Sequence, residues 1–168
     1  PAPATAMAVL KPGQQVQSMI AGHAVPRGTR LVSGLNPGLS TRSTFTTAQE
    51  VTLWPIAITS VSYFQDRSAL AAAGIAPIGG ARGEAAFRVT LARTGKGKLS
   101  ELSLDRLDLY LAGRARAPLL FDAIFGACSA LGARAEGKTN PLTALPEPEM
   151  IGIRDDEAPM PRTRPTFE

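Results

Sequence analysis

The chain holds one histidine, His23, and one cysteine, Cys128. A hydrolytic triad needs a histidine beside a nucleophile and an orienting carboxylate. His23 lies between Gly22 and Ala24, which supply neither, so it reads as a surface or loop histidine. One His and one Cys cannot by themselves build the usual His/Cys zinc site. Asp155-Asp156-Glu157 could hold a cation through oxygen alone, but the run lacks the spacing and the glycine of a calcium loop. It reads as a solvated acidic loop or a partner contact. Gly79-Gly80-Ala81-Arg82-Gly83 invites a phosphate-loop reading, yet it has neither the G-x-x-x-x-G-K-[ST] pattern nor a clear strand-to-helix setting. Asp105 and Asp108, three apart on an expected strand, point to opposite faces and cannot converge. Cys128 falls on the apolar face of an expected helix, as a small buried hydrophobe rather than a reactive thiol. Trp54 reads as core rather than a ligand platform. No catalytic, cofactor-binding or metal-ligating residue is therefore assigned, no cofactor is expected, and the chain is not expected to be an enzyme.

The elements around these residues read as short strands. Ala6–Leu10 is a strand candidate stopped by Pro12-Gly13, and Val16–Ile20 is a weaker one. Pro26-Arg27-Gly28-Thr29 places Pro and Gly for a β-turn, and Arg30–Ser33 follows as a strand. Ser43–Thr47 and Glu50–Tyr63 are rich in Thr, Val and Ile, as strands prefer. Trp54, Ile56 and Ile58 alternate toward one core, and a phase slip near Thr59-Ser60 suggests a bulge. Pro55 lacks an N–H and belongs at an edge or a bend. Asp66–Ala73 reads as a short helix closed by Gly74. Ala85–Arg93 has Phe87, Val89 and Leu91 on one face. Thr94–Lys98 reads as a hairpin connection to Leu99–Leu104, and Leu107, Leu109 and Leu111 alternate in a further half-buried strand. Pro118–Leu131 is the convincing helix, with Leu120, Ile124, Cys128 and Leu131 on one stripe and Gly132 beyond its end. Leu119, Phe121 and Phe125 widen its apolar face, so burial on more than one side is expected. Asn140–Glu149 reads as extended, and Met150–Ile153 as a last edge strand.

The expected fold is α+β and β-rich: an antiparallel sheet or two-sheet sandwich with one buried helix. One domain would span 1–153, followed by an extended Pro-rich segment over 154–168. Phe87 and Leu109 are expected core positions whose truncation to Ala costs about 2–5 kcal/mol.

Composition narrows the function. Aromatics are 5% of the chain while Gly (16) and Pro (14) are abundant, which favours turns and short strands. The net charge of +4 is spread over scattered residues such as Arg27, Arg30, Arg42, Arg67, Arg82 and Arg88. A nucleic-acid surface would concentrate that charge, so none is expected. No stretch approaches the about 20 apolar residues that span a bilayer. The Pro-Ala-Pro start lacks the basic and apolar regions of a signal peptide, and the absence of an initiator Met suits a piece of a longer protein.

Two stretches carry a family resemblance: Val25-Pro26-Arg27-Gly28-Thr29-Arg30-Leu31, and Phe45-Thr46-Thr47-Ala48-Gln49-Glu50-Val51-Thr52-Leu53-Trp54-Pro55. They resemble the "P-x-G-T" turn and "F-x-T…V-x-L-W-P" strand of the TssF (VasA/ImpG) family of type VI secretion baseplate proteins. Leu102-Ser103-Leu104-Asp105-Arg106-Leu107 with Tyr110-Leu111-Ala112-Gly113 is similar to the family's "L-x-L-D-R-L-R-x-x-L-x-G" segment. Ala6–Leu10 is similar to its strand after a proline-rich entry. Asp155–Pro161 with Thr166-Phe167 resembles its acidic "D-E-A-L-x-P…S-F" run, with Met160 and Pro161 as departures. Family members are much longer, which suits an internal fragment.

The resemblance implies a structural subunit of the baseplate wedge of a contractile, phage-tail-like injector. It implies a cytoplasmic location, with the baseplate docked at the inner-membrane complex. The implied partners are the TssG subunit, a second TssF copy, and the baseplate components TssK and TssE, with no small-molecule substrate. A different class of function is a β-sandwich that binds a small ligand or carbohydrate, with Tyr110, Tyr63 or an exposed Trp54 as its stacking surface. A hydrolase is disfavoured by the missing base and nucleophile, and only turnover abolished by His23→Ala would revive it.

Overall fold

The computed structural model describes residues 4–35, 38, 40–81, 83–113, 115–138 and 140–152. In chain order the elements are α1 (Gln14–Gln17), β1 (His23–Val25), β2 (Arg30–Val32), β3 (Thr44–Thr46), β4 (Val51–Leu53), β5 (Ile56–Phe64) and α2 (Arg67–Ala72). They continue with β6 (Ala86–Arg93), a 3-10 turn (Leu99–Glu101), α3 (Ala117–Gly126), β7 (Leu131–Ala133) and β8 (Thr143–Leu145). The strands pair two by two: β1 with β4, β2 with β3, β5 with β6, and β7 with β8. β1–β4, β2–β3 and β7–β8 are antiparallel. The chain is thus strand-rich with few helices, built from small antiparallel sheets.

It divides into two compact units. One gathers Pro1–Pro55, Arg93–Ser103 and Met150–Glu168; the other gathers Ile56–Ala92 and Leu104–Glu149. In the first, β2 and β3 are nested inside the β1–β4 pair, and Val16 and Leu102 are buried. The Ser103 amide donates to the Ile20 carbonyl at 3.0 Å, tying the second segment to the first. In the second, α2 packs against β5 and buries Leu70. The Asp66 carboxylate accepts from the Ala69 amide at 2.7 Å, satisfying one of the helix's free donors. Asp66→Ala should cost about 1 kcal/mol, read from urea melts.

Several expectations need correction. Ala6–Leu10 forms no strand, and Val16–Ile20 is not one either, because Gln14–Gln17 closes a helical turn with the Val16 amide on the Gly13 carbonyl. Thr94–Lys98 does not lead to a second strand; a 3-10 turn occupies Leu99–Glu101. Leu107–Leu111 is not a strand, since none of the described residues pairs with it. There Arg106 turns to Asp108, with Nε donating to Oδ1 at 2.6 Å and a terminal guanidinium nitrogen to Oδ2 at 3.2 Å. Asp105 and Asp108 are not on a strand, so strand alternation does not set them on opposite faces.

The long helix ends at Gly126, and Leu131 and Gly132 belong to β7. A glycine inside a helix costs about 1 kcal/mol against alanine, and pairing with β8 captures the residues beyond. Consequently Cys128 is exposed, outside the helix, its thiol donating to the Ala130 carbonyl at 3.5 Å. The expected buried helix has no buried residue. Met150–Gly152 carries no strand. Ile153 and the 154–168 segment lie outside the described residues.

Phe87 and Leu109, expected in the core, are 45% and 53% exposed. Alternation identifies an apolar face but not whether a second layer covers it. Leu109→Ala should therefore cost about 1 kcal/mol or less. Phe87→Ala should cost about 1–2 kcal/mol, chiefly from its ring contact with Tyr63. Urea melts of both variants check these values.

Candidate functional site

The most distinctive sequence stretch is a structural lock. Pro26 to Thr29 closes a turn, with the Thr29 amide donating to the Pro26 carbonyl at 3.2 Å and Gly28 at φ +82°. That φ is one that side chains rarely adopt, so glycine is required there. The turn is bolted to the end of β3. The Gly28 amide donates to the Thr47 carbonyl at 2.9 Å, and the Thr47 amide to the Thr29 carbonyl at 3.0 Å. The Thr47 hydroxyl accepts from the Thr29 amide at 2.9 Å and donates to the Pro26 carbonyl at 2.8 Å. The Thr29 hydroxyl donates to the same carbonyl at 2.6 Å. Each threonine oxygen is spent on backbone. Thr47→Val removes two of these bonds and should cost about 1–3 kcal/mol, measured by thermal and urea unfolding.

The tryptophan stretch is scaffold in the same sense. Trp54 is half-buried, and its ring lies against Gly22. Pro55 is fully buried where β4 ends and β5 begins. This is the bend expected of a residue with no N–H to donate to a ladder.

A second locked point was not legible in the sequence. The Arg93 side chain is 7% exposed at the end of β6. It donates to Glu101 Oε2 at 2.9 Å and to the Lys98 carbonyl at 3.0 Å. Its Nε is buried without a hydrogen-bond partner. Gly97, at φ +100°, lies over this pair, and a Cβ there would collide with both the Glu101 carboxylate and the guanidinium. The 94–101 loop is therefore wrapped around an ion pair. The Arg93–Glu101 spacing alone gave no signal, because charges in a loop ordinarily point to water.

The residues with chemical potential lie on different elements. His23 sits exposed in β1 opposite Leu53. Cys128 is in the second unit, in the segment between α3 and β7. Gly79 and Gly80, at φ +55° and +81°, are the central residues of a turn in which the Ala81 amide donates to the Ile78 carbonyl at 2.9 Å. Asp155-Asp156-Glu157 lies outside the described residues. Among the described residues, no group of three His, Cys, Asp or Glu is placed to hold a metal ion. No helix among them is long and apolar enough to cross a membrane.

What the structure does present is apolar surface. On β5, Val61 and Tyr63 share one face; on β6, Phe87 and Val89 share one. The Tyr63 and Phe87 rings meet with centroids 4.8 Å apart, so these two faces are the same side of the pair. All four side chains are exposed. On the other side Arg88 lies over the Phe64 ring, 5.0 Å from its centroid. Tyr110, at 73% exposure, stands in the irregular segment after the Arg106–Asp108 pair.

Comparison with known proteins places the chain in a family. The family model described as "Type VI secretion system, TssF" matches residues 1–168. The chain is similar to the "Type VI secretion system component TssF1" of Pseudomonas aeruginosa, with 30% identity over 172 residues. That match covers 100% of this chain but 27% of the relative, so the chain spans about a quarter of the relative's length. No solved structure matches it.

Proposed function

The chain belongs to the TssF family of type VI secretion proteins, and we propose that it is a segment of a structural subunit of the baseplate wedge. Its work is binding, and it catalyses no reaction. The family match along the whole chain is the observation that carries this reading. The proposed partners are the TssG subunit, a second TssF copy, and the TssK and TssE components. The assembly would lie on the cytoplasmic side, docked at the inner-membrane complex.

The locked turn, the buried Pro55 and the Arg93–Glu101 pair support a scaffolding role, because they spend polar groups on holding backbone. The Val61, Tyr63, Phe87 and Val89 face is the surface we assign to subunit contact. Aromatic residues with few charges are the composition found at the centre of protein interfaces. Co-purification of the full-length protein with a candidate TssG subunit tests the reading. A stable complex is expected. No complex when both proteins are soluble and folded would overturn it.

A further inference from the structure

We draw no further inference here: the strongest candidate, the apolar segment 107–111 between the 3-10 turn and α3, which pairs with no strand among the described residues and exposes Leu109 and Tyr110, carries nothing because nothing in the structure shows what covers it.

Discussion

Gly22→Ala should lower stability by about 2–4 kcal/mol, the sum of a left-handed backbone penalty and an overpacked contact. Gly22 has φ +70°, and an added Cβ would stand 2.9 Å from Thr52 Cγ2, 3.0 Å from Trp54 Cε3 and 3.1 Å from the Leu53 carbonyl oxygen. Those atoms belong to β4 and to the ring that packs behind it, so relief requires moving backbone. Gly95→Ala should be comparably damaging by another route. Its backbone is not left-handed, but the new Cβ would collide with the Gln17 carbonyl and the atoms next to it. Gly13→Ala is the control, because nothing lies within 4 Å of a Cβ there. Urea melts of the three variants separate the cases. A Gly22→Ala midpoint equal to that of Gly13→Ala would mean that Trp54 does not pack where it is described.

Removing the partner of Arg93 should be the next largest effect. Glu101→Ala leaves a guanidinium, itself 7% exposed, with the Lys98 carbonyl as its remaining hydrogen-bond acceptor here. Deleting one member of a well-buried pair costs about 3–5 kcal/mol. The Glu101 side chain is 50% exposed, so solvent already screens it and a smaller loss, about 1–3 kcal/mol, is expected. Glu101→Gln keeps an acceptor and should recover part of that loss. Chemical denaturation reads both, and a thermal scan should rank them in the same order. If Glu101→Ala proved as stable as the parent, the loop would be held by Gly97 and the Lys98 carbonyl alone.

The legible parts of the fold were those set by local chemistry. Pro26 and Gly28 announce their turn, Asp66 announces the start of α2, and β-branched runs announce β3, β4, β5 and β6. The misread parts depended on what stands opposite. Leu107, Leu109 and Leu111 have the spacing of a strand but no strand beside them. Val16 has the side chain of a strand residue but sits in a helical turn closed by the Gly13 carbonyl. Phe87 and Val89 alternate as core residues do, yet face outward in this segment. The helix read as ending at Leu131 stops at Gly126, because the residues beyond it pair with Thr143–Leu145 rather than winding on. For the site, the turn chemistry of Pro26 and Gly28 was readable, but not the bonds from Thr47 that hold the turn. The Arg93–Glu101 pair was invisible because its burial comes from the fold.

The division of the first unit into separated stretches bears on how the protein is made. Gln17 emerges from the ribosome early, but its neighbour Gly95 comes long after Pro55, once Ile56–Ala92 has been synthesised. At about 5–20 residues per second, that delay is about 2–8 seconds after Pro55 appears. Through that interval the first unit stands unfinished, with the Pro55 carbonyl awaiting the Thr94 amide and the Ile20 carbonyl awaiting the Ser103 amide. Translation speed across Ile56–Ala92 thus sets how long the incomplete unit must avoid aggregation or proteolysis.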